Sequence, residues 1–166
     1  MNRRALLKSV AALAAGLTNV PIHAQQKSTQ PKPPKPDLPY LLEVEKLIPT
    51  DEQIVTRSKD DQTMTIPGTT SSARTPLPEP IFLFLPGKIE ATQFELFHFQ
   101  VTDGHRQWTK GSEERPDNDA PEDAIRLTLR PLGGGVVRIE AAEMLDPGEY
   151  ALIPRGQNTA FCFTVF

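Results

Sequence analysis

One nine-residue run constrains this chain more than any other feature. Phe94-Glu95-Leu96-Phe97-His98-Phe99-Gln100-Val101-Thr102 is dense in aromatic and β-branched residues and is followed directly by Asp103-Gly104. Asp-Gly after a period-two run is a strong signal for a two-residue hairpin. The register follows: Thr102 faces His105, Val101 faces Arg106, Gln100 faces Gln107 and Phe99 faces Trp108. Phe97, Phe99, Val101 and Trp108 then share a core face. Leu96, His98, Gln100, His105 and Gln107 take the opposite, largely polar face. A Phe99–Trp108 pair would contribute up to about 1 kcal/mol beyond an alanine pair.

The same period recurs from Tyr40 to Phe166. Ile125 to Arg130 alternates apolar and polar, and Val136 to Glu140, Glu149 to Ile153 and Thr159 to Phe166 read as further strands. Ile81 to Leu85 is a short apolar run ended by Pro86-Gly87, which fits a buried strand. Gln53 to Thr56 and Gln62 to Ile66 read as an earlier hairpin around Lys59-Asp60-Asp61. Leu41 to Ile48 is ambiguous between helix and strand. Gly133-Gly134-Gly135 has neither the spacing nor the Lys-Ser/Thr ending of a phosphate loop, and reads as a flexible turn. Many short strands separated by turn residues predict an all-β, antiparallel β-sandwich or open barrel, forming one domain over 40–166.

The start of the chain is an address. Arg3, Arg4 and Lys8 make a positive region with Leu6 and Leu7 between them, and residues 1–24 hold no acid. The apolar stretch from Ala5 to Leu17 is too short and too polar to span a bilayer, which takes about 20 apolar residues. Ala24 is the expected cleavage position, so 1–24 reads as a signal peptide. Arg3-Arg4-Ala5-Leu6-Leu7-Lys8 resembles the twin-arginine export signal, with Asn2 and Leu6 departing from its usual residues. That resemblance implies an export translocon that carries folded proteins, and a final location in the periplasm of a Gram-negative bacterium or outside the cell. A Sec signal shares most of these properties and is the alternative. Gln25 to Pro39 holds little apolar surface and many prolines, so it is expected to be a disordered tether of polyproline character. Fully extended it would reach about 45 Å.

Charge and chemistry narrow the function further. Three of the eighteen basic residues lie in the leader, so the processed chain carries fifteen against twenty-one acids, a net −6. A mildly acidic domain has no electrostatic footprint for nucleic acid or an anionic membrane. The single cysteine, Cys162, excludes an internal disulfide, and within Phe161-Cys162-Phe163 it reads as a small buried hydrophobe. On the hairpin register, His98 and His105 lie about 13 Å apart at the usual strand rise. Zinc holds each ligand at about 2 Å, so the two do not share an ion. Gly111 to Ala124 holds six acids, yet lacks the sharp-turn glycine and the bidentate Glu spacing of an EF-hand, and reads as a solvated loop with weak calcium binding as the residual alternative. Ser71, Ser72 and Arg74, in Gly68-Thr69-Thr70-Ser71-Ser72-Ala73-Arg74, lack the glycines of a nucleophile elbow. Their hydroxyls beside a guanidinium make a candidate ligand or partner loop.

Leu145-Asp146-Pro147-Gly148-Glu149-Tyr150 reads as a type II turn, with proline setting φ and Gly148 supplying the positive φ. Leu145 and Tyr150 flank it as core anchors. The pattern resembles the hairpin of prealbumin-like sandwich domains, including carboxypeptidase regulatory domains and Cna-B modules, and the C-terminal end of exported bacterial proteins that close on an aromatic strand. The resemblance covers about twenty residues, implies a sandwich, and brings no catalytic residue with it. The expectation is an exported, non-catalytic accessory module for a protein partner in the cell envelope, with no metal or cofactor. A periplasmic small-molecule or carbohydrate binder, with Trp108 as a stacking residue, is the alternative, and a hydrolase comes third.

Overall fold

The computed structural model describes residues 31–111 and 124–166. The leader, residues 25–30 of the expected tether, and the acidic loop at 112–123 lie outside the described residues. Thirteen strands form among the described ones. They are β1 (Tyr40–Glu43), β2 (Lys46–Pro49), β3 (Asp51–Ile54), β4 (Thr56–Arg57), β5 (Thr63–Pro67), β6 (Arg74–Thr75) and β7 (Ile81–Phe84), then β8 (Phe94–Thr102), β9 (His105–Thr109), β10 (Leu127–Pro131), β11 (Val137–Ala141), β12 (Gly148–Pro154) and β13 (Thr159–Val165).

The larger sheet runs β3-β13-β12-β8-β9-β5-β4, and its two ends belong to one stretch of chain. β3 pairs with β13 and β4 with β5, with only Val55 between them, so the sheet curls until it nearly closes into a barrel. Met64, Ile66, Phe97, Phe99, Trp108 and Ile153 fill its interior. The smaller sheet, β10-β11-β7-β1-β2, is open and packs one face on the outside of the barrel. Leu41, Phe82, Phe84 and Ile139 from this sheet meet Leu96, Tyr150, Leu152, Phe161 and Phe163 from β8, β12 and β13. Edge-on ring contacts, Phe82 to Phe163 at 4.8 Å and Phe84 to Phe94 at 5.0 Å, lock the two layers. The all-β expectation holds, as a barrel with a sheet layered against it.

Strands β12 and β13, and β8 from Phe94 to Phe99, are therefore buried on both faces, which explains the near-continuous burial of β12 and β13. It also corrects the polar assignment of the second face of β8: Leu96 is fully buried there, against the smaller sheet. The hairpin register is the expected one, with Gln100, Val101 and Thr102 opposite Gln107, Arg106 and His105. Phe99 and Trp108 are not a ladder pair. By Trp108 the strand β9 pairs with Met64 of β5, and the indole meets Phe97 edge-on at 5.2 Å. Val101 sits on the expected face, but 53% exposed at the end of the sheet.

Leu41 to Ile48 is strand, a tight hairpin in which Leu42 faces Leu47 and Glu43 faces Lys46. Its two-residue turn puts Val44 at φ 56°. Gly148 is not a turn residue of positive φ: it opens β12 opposite Val165. A Cβ there would lie 2.5 Å from Nε2 of His98, whose ring stacks on Tyr150 at 4.7 Å. Close approach of an aromatic ring, not turn geometry, is what requires this glycine. Leu145 and Tyr150 are buried as expected, and the Tyr150 hydroxyl donates to the Asp146 carbonyl at 2.8 Å.

The described part of the proline-rich stretch is laid against the domain. Pro33 and Pro39 are buried, and the Asp37 amide donates to the Leu85 carbonyl at 2.9 Å. The Asp37 carboxylate accepts from three successive amides, Gly87, Lys88 and Ile89, at 2.8–2.9 Å. One carboxylate and the backbone hold this described part, expected as a disordered tether, against the domain.

Candidate functional site

Among the described residues an oppositely charged pair lies inside the barrel. Arg106, on the Trp108 face of β9, is 2% exposed. Its Nη1 lies 3.6 Å from Oε2 of Glu149, which stands at the start of β12 on the face shared with Ala151 and Ile153. The pair is bridged by a hydroxyl: Nη1 donates to Ser71 Oγ at 2.7 Å, and Ser71 Oγ donates to Glu149 Oε2 at 3.3 Å. Thr164 Oγ1 donates to Glu149 Oε1 at 2.8 Å and accepts from the Ser71 amide at 3.2 Å. Arg106 Nη2 donates to the Pro67 carbonyl at 2.8 Å.

Buried ions are tolerated only when paired and hydrogen-bonded, and these are both. The cluster ties the 67–75 segment to β9, β12 and β13, and so plugs one end of the barrel with polar contacts. It also settles the surroundings of Cys162, which shares the interior face of β13 with Thr164 and is fully buried. Burial pushes the Cys162 thiol up to about 12; the positive charge of Arg106 beside it pulls the other way and loses to burial. A thiol so rarely ionised is a poor nucleophile. Ser71 is 2% exposed, with its oxygen held by Arg106 and its proton turned to Glu149.

The expected ligand loop does not converge. Ser71 points inward to Arg106. Ser72 is exposed, and both its amide and its hydroxyl bond the Asp51 carboxylate. Arg74 belongs to β6, and its guanidinium lies 4.8 Å over the Phe166 ring. The residues that do converge, Arg106, Glu149 and Thr164, escape a reading of local motifs. The signal available was parity: each is a polar residue on a strand face otherwise made of Trp108, of Ala151 and Ile153, or of Ala160 and Cys162.

His98 and His105 occupy separate surroundings, His98 against Tyr150 and His105 beside Gln107 at the hairpin tip. Among the described residues no group of three or more His, Cys, Asp or Glu is placed to hold a metal ion. Trp108 is 7% exposed in the barrel core. No helix among the described residues is long and apolar enough to cross a membrane.

Among the described residues the large apolar side chain with the greatest exposure is Val44, at the tip of the β1–β2 hairpin, ahead of Met144 and Ile54. Val44 is 96% exposed and left-handed, a conformation that Gly, Asn and Asp accept readily and β-branched residues do not. Strand β2 beside it is a terminal strand of the open sheet. Comparison with protein-family models, curated proteins and solved structures gives no match.

Proposed function

We propose that this chain is an exported, non-catalytic binding module that engages a protein partner in the cell envelope through the β1–β2 hairpin and the free edge of β2. Val44 carries the reading. An exposed isopropyl group in a left-handed turn is unfavourable for the free domain twice over, once in backbone energy and once in hydration. Asn or Gly would serve the turn better. A residue that the fold does not need, apolar and presented at a hairpin tip, fits a contact with another protein.

The plugged barrel end and the suppressed Cys162 thiol support a non-catalytic role. The burial of Trp108 weighs against a sugar-stacking one. The leader supplies the address, by twin-arginine export or by Sec.

The test is capture of the tagged full-length protein from the envelope of its own host, with mild crosslinking, comparing the native chain with Val44→Glu. A single stoichiometric protein that is present with the native chain and absent with the variant supports the module. A native chain that captures nothing specific contradicts it.

A further inference from the structure

Val44, Leu77, Val101, Met144 and Phe166 are exposed apolar side chains that sit at one end of the molecule. A sixth among the described residues, Ile54, closes β3 opposite Thr159, at the other end of the larger sheet. The registers bring the five together. In the smaller sheet β1 runs antiparallel to β7, and Ile81 of β7 lies opposite Glu140 of β11. The Val44 turn, the start of β7 and the end of β11 therefore share one end. In the larger sheet Gly148 pairs with Val165, Glu149 with Phe99, and Thr75 with Val165, which gathers Val101, Phe166 and Arg74 at one end. Two links, 76–80 and 142–147, join these two ends, and they touch: the Leu145 amide donates to the Pro78 carbonyl at 2.7 Å. Leu77 and Met144 stand on those links, and the Phe166 amide donates to the Thr75 carbonyl at 3.1 Å.

Apolar side chains scattered singly over a surface need no explanation, whereas a gathering of them rimmed by polar residues marks an interaction site. The charges at this end say what it would accept. Glu43, Glu45, Glu79, Asp103, Glu143 and Asp146 lie on the same hairpin tips and links, against Lys46, Arg74 and Arg126. The Arg74 guanidinium is laid over the Phe166 ring. Over the rest of the described surface acids and bases nearly balance, so the acidity belongs to this end. A second copy of the same end, or an anionic bilayer, would meet like charge there. A basic partner would meet its complement.

We infer that the partner surface is this whole end, from Val44 across the two links to Phe166, and that it takes a protein face with an apolar centre and a rim of Lys and Arg. The inference rests on the hairpin reading above and deepens it, by extending the surface and fixing the chemistry of the partner. An apolar centre supplies the contact area, and the charged rim steers the encounter and rejects acidic surfaces.

Two amphipathic peptides of equal length test it, one built from Leu and Lys and the other from Leu and Glu, titrated into the isotope-labelled full chain. The Leu/Lys peptide is expected to shift the methyl signals of Val44, Leu77, Val101 and Met144. It is expected to bind tighter than the Leu/Glu peptide by on the order of tenfold at low salt, a gap that closes as salt is added. In the chain carrying Glu79→Lys and Asp146→Lys the preference is expected to reverse. Equal binding of the two peptides, or an unchanged preference in that variant, overturns the inference. Shifts confined to Val44 overturn it too, and leave the hairpin reading standing. Shifts at Leu77, Val101 and Met144 with Val44 silent support this end as the surface and count against the hairpin. Vesicles of anionic lipid that shift the same methyls where the Leu/Lys peptide does not would overturn the choice of a protein.

Discussion

Arg106 and Glu149 face each other across 3.6 Å inside the barrel, and the Ser71 hydroxyl joins them. Removing one partner leaves the other as an uncompensated buried charge. Breaking such a pair costs about 3–5 kcal/mol, whereas replacing both by apolar residues of similar volume is often neutral. Arg106→Met and Glu149→Leu are each expected to lower stability by about that amount in urea unfolding. The double variant is expected to recover most of it. Single variants that cost less than about 1 kcal/mol would show that the cluster is not a structural plug.

Cys162 gives the fold a signature at high pH. Its thiol is raised by burial from an ordinary value of 9.0 to about 12 in the folded chain. Above pH 9 the unfolded chain loses this proton and the folded chain keeps it, so the unfolded state gains. Stability is expected to fall between pH 9 and 12, at up to about 1.4 kcal/mol per pH unit from this group. Cys162→Ala is expected to remove that slope, measured by denaturant unfolding across the range. The native chain is also expected to be inert to thiol reagents at pH 8 and to react once unfolded. An equal slope in the variant would contradict the burial account.

The hairpin at Asp103-Gly104 shows how much of this was legible. Its register, the strands after it and the all-β class follow from alternation and turn chemistry, which act locally. Closure of the larger sheet does not, because it depends on one stretch around Val55 meeting both β13 and β5, far apart in sequence. The two-sided burial of β8 was hidden for the same reason: alternation marks one core face, and Leu96 needed a second sheet to become buried. Arg106 and Glu149 were invisible as a pair because parity alone does not say which strands are neighbours. The seat for Asp37 was invisible because its donors are backbone amides, which carry no side-chain signature.

Asp37 makes the opposite prediction to Cys162 in sign. Partial burial raises its carboxyl, but hydrogen bonds from Ile89, Lys88 and Gly87, with the Lys88 charge, outweigh burial and hold it below its ordinary 3.8. The folded chain therefore keeps this carboxylate ionised at a pH where the unfolded chain has taken up a proton. The contribution is fully present above the unfolded value of about 4 and is lost as pH falls through the lower folded one. Asp37→Asn is expected to destabilise the chain at pH 7, with its stability converging on that of the native chain below the ordinary carboxylate range. A gap that persists unchanged at pH 2 would place the effect elsewhere than in the carboxylate.

The proposed role rests on Val44, and Val44→Asn tests it most directly. Both quantities belong to one experiment: unfolding free energy of the purified chain, and recovery of its partner from the host envelope. Asn accepts the left-handed turn, so the variant is expected to be more stable by about 1 kcal/mol. It is also expected to retain at most a tenth of the partner that the native chain retains. A variant that is stabilised and still retains its partner in full would show that the hairpin tip is not where the partner binds.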